Sequence, residues 1–395
     1  MKPDDVKRYA VEVLHRFDPD EETDCTEIGD GNINYVFQVR SRRDGRSVIV
    51  KQADKLLRSS GRPLDIYRNK IEAQTLQLES RLAPDYIPEV YHYDETMAAL
   101  SMEDISAYKN LRKELLAGRV YGHLAENIST FLAQSLLPTT DLVLDRQEKK
   151  RRVQFFTNPE LCDITEDLVL TEPYWNYKDR NIITAGNEDF VRTFLYEDEA
   201  LHAEVGKLRN AFMNDAQALL HGDLHSGSIF ANEQGVKVID PEFAFYGPMG
   251  YDIGNVIANM IFAWCNGDVA GADEFCKWAE SVIKDVVNMT MEKMDQYYDE
   301  HVTDTMCKSK GFKEWYMKSI LADTSAVTGL ELIRRTVGMA NVKDITSIAD
   351  EKARTRAERI CITAAIDFIK NRSEKKCGNC FLNTLKDAVE AVDAQ

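Results

Sequence analysis

The sequence predicts an α+β chain of two lobes: a small β-rich lobe over residues 1–105 and a large, mostly helical lobe over 106–395. Three observations predict it. Apolar residues alternate through most of the first part but recur at helical spacing from Asn110 onward. Only one strand-like stretch, 229–240, interrupts the helical part. The 395 residues, 44% hydrophobic with 16 Tyr and 16 Phe, are enough for two lobes with separate cores.

Val6, Tyr9, Ala10, Val13, Leu14 and Phe17 recur at helical spacing and predict a short amphipathic helix at the start. After Asp18-Pro19-Asp20 the pattern alternates. Ile28, Val36, Phe37 and Val39 flank a glycine turn, and Val48, Ile49 and Val50 form a strand after the Asp44-Gly45 turn. A helix over 66–82 precedes strands at 90–93 and 98–102, which completes a small, mostly antiparallel sheet with one long helix. Beyond it, helices are predicted over 111–136, 159–168, 187–213, 252–265, 270–296, 312–340, 346–372 and 380–392. The charge run Lys149-Lys150-Arg151-Arg152 reads as a solvated face.

A net charge of −17 argues against nucleic acid or an anionic membrane as partner, since both call for clustered Lys and Arg. An anionic ligand would need local basic groups to reverse that field. No apolar run is long enough to span a bilayer, and the first residues carry early acids and no apolar core, so no signal peptide is expected. Eight cysteines are scattered, and only Cys377 and Cys380 form a C-x-x-C. That pair reads as ordinary thiols at a helix start in a reducing cytosol, as a redox pair, or as part of a metal site. A cytoplasmic chain is expected.

The stretch His221 to Asp252, HGDLHSGSIFANEQGVKVIDPEFAFYGPMGYD, carries the chemistry. Asp223 sits in a tight polar turn, and Asp240 and Glu242 follow the short apolar strand 236–239. A carboxylate that orients an attacking hydroxyl, with further acids that hold magnesium, is the layout phosphoryl transfer needs. A purely structural reason for three acids there is hard to supply, because unpaired acids near a core strand are costly.

The turn Ile28-Gly29-Asp30-Gly31-Asn32-Ile33-Asn34 joins two strands. Gly29 and Gly31 let a backbone approach phosphate oxygens, although the same turn also reads as an ordinary hairpin. Lys51 ends an apolar strand and aims its ammonium at an anion, here the α- and β-phosphates of a nucleotide, or else blunts a sheet edge. Glu72 is the candidate carboxylate to steady it, and Glu79 the weaker choice. The segment Glu103-Asp104-Ile105, after the last small-lobe strand, offers backbone groups to an adenine edge. Two lobes around a hinge suit a nucleotide buried between them.

His221-Gly222-Asp223-Leu224-His225-Ser226-Gly227-Ser228 resembles the H-x-D-x-x-x-x-N loop of protein-kinase-like phosphotransferases, with Ser228 in place of the Asn. Asp240-Pro241-Glu242 resembles their metal-binding D-F-G segment. No activation loop follows, which points to a small-molecule substrate. IGDGNIN, FTNPELCDITEDLVLTEPY, HGDLHSGSI, DPEFAFYGPMGYDIGN and ELIRRTVGMA are similar to blocks of the methylthioribose kinases, and the resemblance runs over essentially the whole chain.

The resemblance implies a two-lobe protein-kinase-like fold and a homodimer. It implies ATP-dependent phosphorylation of 5-methylthioribose at its 1-hydroxyl, giving the 1-phosphate for methionine salvage. Carried over, Asn34 and Lys51 bind ATP phosphates, 103–105 contacts adenine, Asp223 takes the substrate hydroxyl, and Asp240 and Glu242 hold Mg2+. Arg334 and Arg335 become paired arginines beside the sugar and the moving phosphoryl group. Read from their helix alone they are either surface residues or a source of fixed positive charge. His221 and His225 read as braces of the loop. Tyr174 and Trp175 read as pocket wall or as core packing. Asn341 stands where many relatives are expected to carry His. The rival readings are a kinase for choline, ethanolamine, homoserine or an aminoglycoside, and a non-catalytic nucleotide-binding scaffold.

Overall fold

A computed structural model describes residues 1–28, 34–54 and 63–394. The helix α1 (Pro3–Glu12) starts on a proline, with Asp4 and Asp5 in its first turn where acids favour the helix dipole. Its apolar stripe Val6, Tyr9 and Ala10 covers the outer face of the sheet. The strands are β1 (Thr23–Glu27), β2 (Tyr35–Ser41), β3 (Ser47–Gln52), β4 (Val90–Asp94) and β5 (Ala99–Met102), in the antiparallel order β1-β2-β3-β5-β4. Lys51 stands in register between Val36 and Leu100, on the central strand. It therefore does not blunt an edge. The helix α2 (Tyr67–Leu82) lies against this sheet and buries Arg68, Asn69, Glu72 and Glu79 beside its apolar residues.

The rest of the chain is mostly helical, as expected. The helices Gly250–Val269, Lys310–Thr336 and Glu351–Lys370 pack side by side, with Asp273–His301 and Gly378–Asp393 completing the bundle. Several boundaries differ from the sequence reading. The helix expected over 111–136 is two, Leu111–Leu116 and Leu124–Leu136, because Gly118 adopts a left-handed φ of +69° and stops the first. The one expected over 187–213 breaks at a single wide turn, Arg192–Tyr196, and restarts where Asp198 accepts from Leu201 N at 2.9 Å. The one expected over 346–372 is Lys343–Thr346 followed by Glu351–Lys370, whose start is capped by Asp350.

The strand-like stretch is a hairpin, Ile229–Asn232 with Gly235–Val238, and Lys109–Asn110 adds to its edge. A second small pair joins Ala218–Leu219 to Tyr246–Gly247, which corrects the expectation of a single strand-like break. The basic run lies on a helix, Arg146–Phe155, and is not wholly solvated. Lys149 is buried, donates to Gln217 O at 2.5 Å and sits 4.3 Å from the Tyr246 ring centre. Burial lowers its ammonium to about 8.

The cores are not separate as expected. One apolar cluster joins Ile49, Leu76 and Leu100 of the sheet and α2 to Leu124, Phe131 and the helical bundle. A smaller cluster lies between α1 and the sheet's other face. No helix among the described residues is long and apolar enough to cross a membrane.

Candidate active site

The loop from His221 to Ser228 is held by contacts from three directions. Asp252, in the first turn of the helix Gly250–Val269, accepts from His221 N at 2.7 Å and from Gly222 N at 3.0 Å. Burial raises the Asp252 carboxyl, and His221 with the two amides opposes that rise. The His221 ring meets Ile239 O at 2.9 Å through Nε2, so that nitrogen carries the proton. Its Nδ1 accepts from Asp223 N at 3.3 Å. Burial lowers the His221 pKa and keeps the ring neutral, a brace between the loop and the strand end before Asp240. Arg112 steadies the far side, with Nε 3.2 Å from Ser226 Oγ.

Gly222 has a φ of +83°, and a Cβ there would lie 2.3 Å from Phe243 O, in the turn that carries Glu242. The loop and the acid turn thus touch backbone to backbone, with no room for a side chain. Gly222→Ala is expected to cost about 1–3 kcal/mol through strain and overpacking, and to lower turnover by displacing both acid segments. Thermal unfolding and a turnover assay check this; an alanine variant as stable and active as the parent would mean that this approach is dispensable.

Asp223 is the hub of a charge cluster. Its Oδ2 lies 3.3 Å from His225 Nε2, and its Oδ1 lies 3.1 Å from Arg334 Nη2 and 3.6 Å from Arg335 Nη2. Burial would raise the carboxyl, but His225 and the two guanidinium groups outweigh it and hold Asp223 well below the usual carboxylate range. The arginines are themselves aligned by Glu331, three and four residues back on the same helix. Arg335 Nε donates to Glu331 Oε1 at 2.9 Å, and Arg334 Nε donates to Oε2. Burial opposes ionisation of Glu331, and Arg334 and Arg335 overcome it. The paired arginines are therefore not surface residues.

On the facing side, Lys51 Nζ bridges Glu72 Oε1 at 2.7 Å and Asp240 Oδ1 at 2.6 Å. Burial would strip its proton, but Asp240, Glu72 and Glu242 raise its pKa and keep it charged. Glu79 makes no contact with Lys51. It is buried, and burial with Asp252 nearby raises its carboxyl well above the usual range. Glu72 is the partner. Asn34 donates to Glu242 Oε2 at 3.3 Å and accepts from Arg68 Nη2 at 3.0 Å, while Arg68 Nε stands 3.6 Å from Glu242 Oε2. One buried guanidinium thus ties Asn34, just before β2, to the acid turn.

Asp240 adopts a left-handed φ of +65°, which starts the 3-10 turn Pro241–Phe243, so that Asp240 meets Lys51 while Glu242 meets Asn34 and Arg68. Burial, then Asp240, pushes the Glu242 carboxyl up against the pull of Lys51. Two neighbouring carboxylates are oxygen ligands of the kind a hard cation takes. Among the described residues no group of three or more His, Cys, Asp or Glu forms a complete ion cage. Ser228, at the second metal-binding position of the resembled loop, donates to Asp223 O at 3.0 Å, within the loop.

Gly29 and Gly31 lie outside the described residues. Asp104 is turned into the sheet, accepting from Gln38 Nε2 at 2.6 Å and Ser47 Oγ at 2.5 Å, and Glu103 Oε2 accepts from Glu89 N at 3.1 Å. The segment's backbone is also partly engaged, with Glu103 N donating to Glu89 O and Ile105 O accepting from Tyr108 N, both at 2.8 Å. Tyr174 is core, whereas Trp175 is exposed and packs at a tilt against the His202 ring. Asn341 donates to Thr336 O, closing the end of the arginine helix. Sequence reasoning missed Arg68, Asp252 and Glu331. Glu331 had a local signal, its spacing of three and four to the arginines.

The phosphotransferase enzyme family model matches residues 24–280. Methylthioribose kinase of Geobacillus sp. (strain WCH70) is 36% identical over 367 residues, covering 91% of this chain and 90% of that protein. Methylthioribose kinase of Yersinia pseudotuberculosis serotype O:1b (strain IP 31758) is 37% identical over 361 residues, 90% of this chain and 88% of that protein. Among solved structures, choline kinase from Cryptosporidium parvum Iowa II superposes with a TM-score of 0.49 at 10% identity, over 99% of this chain and 95% of that one.

Proposed function

This chain belongs to the methylthioribose kinase family, and we propose that it transfers the terminal phosphoryl group of ATP to the 1-hydroxyl of 5-methylthioribose. In this reading it serves methionine salvage in the cytoplasm as a homodimer, with 1–105 as nucleotide-binding lobe and 106–395 as catalytic and substrate lobe. The observation that carries the site assignment is the convergence of Arg334 and Arg335 on one carboxylate oxygen of Asp223.

Lys51 grips the α- and β-phosphates, held in place by Glu72, and Asn34 meets the rest. The backbone of 103–105 meets the adenine. Asp240 and Glu242 are the residues that would hold Mg2+, which when bound supplies positive charge against phosphate oxygens. The free carboxylate lone pairs of Asp223 accept the 1-hydroxyl hydrogen and aim the oxygen at the phosphorus. The O–P bond forms as the bond to ADP breaks, and the proton passes to Asp223 and then to solvent. With its pKa held low, Asp223 is a weak base, so orientation is its first task and proton uptake comes late, as a loose transition state allows. Arg334 and Arg335 offset the charge on the moving group and favour a neutral sugar over a cationic alcohol.

A coupled ADP-release assay with 5-methylthioribose, ribose and choline tests the substrate. Turnover is expected with 5-methylthioribose at a kcat/KM at least about 10²-fold above the others, the scale on which a pocket for an apolar group rejects a hydroxyl in its place. Turnover with choline or ribose alone would overturn the substrate and leave the phosphotransfer chemistry standing.

A further inference from the structure

The C-x-x-C lies far along the chain from the catalytic residues, and its geometry is specific. Cys377 is the N-cap residue of the 16-residue helix Gly378–Asp393, and Cys380 falls in its first turn, with Cys380 N donating to Cys377 O at 2.9 Å. The two Sγ atoms are 3.6 Å apart, and both residues are half-buried, within reach of solvent. The backbone around them is pinned. Gly378 N donates to Asn288 Oδ1 at 2.8 Å, a Cβ on Gly378 would lie 2.1 Å from Lys284 O, and Lys375 Nζ pairs with Asp367 at 2.5 Å. The thiols are thus held together by the fold and do not meet by chance.

We propose that Cys377 and Cys380 are a redox-active dithiol, reversibly converted to an intramolecular disulfide by a small-molecule disulfide such as oxidised glutathione. The Cys380 thiolate attacks one sulfur of the reagent and releases one glutathione thiolate, leaving a mixed disulfide. Cys377 then gives its proton to water and attacks the Cys380 sulfur, releasing the second thiolate. The dithiol loses two electrons, and one glutathione disulfide becomes two thiols. Burial works against the Cys380 thiolate, but hydrogen bonds from the Lys376 backbone, the Cys377 thiol and the Cys377 backbone, with the Lys375 ammonium beyond them, lower its pKa.

The chain contains its own contrast. Cys265 and Cys361 also approach, at 3.8 Å, but both are fully buried between helices. The hydrogen bond with Cys361, then burial, raises the Cys265 thiol well above its ordinary value. Proximity is matched in the two pairs, while access and thiolate character are not.

The full-length protein is equilibrated with oxidised glutathione, quenched with an alkylating agent and mapped by mass spectrometry. Cys377 and Cys380 are expected to lose alkylation together, with a cross-linked peptide that reduction restores, while Cys265 and Cys361 stay reduced. Cys377→Ser is expected to trap glutathione on Cys380, and Cys380→Ser to slow the first exchange at least about 10-fold. The proposal is overturned if both thiols remain alkylatable in excess oxidised glutathione. It is equally overturned if the cross-link maps elsewhere, or if the parent protein stops at the mixed disulfide.

Discussion

Asp223→Ala is expected to lower kcat by about 10²-fold or more, the scale of positioned proton acceptance, with little change in KM for ATP. The split follows from placement. Asp223 belongs to the loop braced by His221 and Asp252, whereas the nucleotide side is held by Lys51, Glu72, Asn34 and Arg68. Asp223→Asn is the sharper test, since it keeps the shape while removing the charge that Arg334 and Arg335 face. An asparagine can still accept from the hydroxyl but cannot take its proton. If the asparagine variant kept near-normal kcat while alanine lost it, Asp223 would be an aligner alone. If both kept it, the role assigned to Asp223 would be wrong.

Arg334→Ala carries the second large effect, a loss of about 10³-fold in kcat, the lower end of what a charge-stabilising arginine provides in phosphoryl transfer. The same change leaves buried Glu331 and Asp223 short of a cation, which is expected to cost about 3 kcal/mol of stability. The two consequences separate by pH. Both carboxylates sit below their usual range in the folded protein, so the cluster's stabilisation is fully present above the unfolded carboxylate values. It is lost as pH falls through the lower folded values. Without Arg334 those folded values rise, so acid unfolding is expected to begin at a higher pH than in the parent. Arg334→Lys should recover part of the stability but little of kcat, because an ammonium cannot span Asp223 and Glu331 as the guanidinium does. Unchanged acid unfolding in Arg334→Ala would show that Arg335 alone balances the cluster.

How far this site was legible follows from where each residue finds its partner. Asp223, Asp240 and Glu242 lie within one short stretch whose turn and strand pattern is local, and Lys51 stands out as a cation in an apolar run. Arg68 and Asp252 carry no such mark. Arg68 reads as an ordinary helix residue until the fold brings Asn34 and Glu242 to it. Asp252 meets the amides of His221 and Gly222 only because its helix start lies under the loop. Lys149 shows the opposite failure. Its charged neighbours suggest solvent, but its register on the helix turns it towards Tyr246 and Gln217. The helix breaks at Gly118 and at Arg192–Tyr196 sit inside continuous apolar periodicity, which signals a face and not where that face must bend.

The apolar continuity from Ile49, Leu76 and Leu100 into Leu124 and Phe131 bears on how a nucleotide gets in. Prising the halves apart like jaws would wet that seam at about 25 cal/mol for every Å² exposed. The outer portion, α1 with β1 and β2, is no looser, since its cluster takes in Val48, Val50 and Ala99, and β2 pairs with β3 from Tyr35 to Arg40. A nucleotide is therefore expected to meet Lys51 already set in place, with side chains and not strands moving aside.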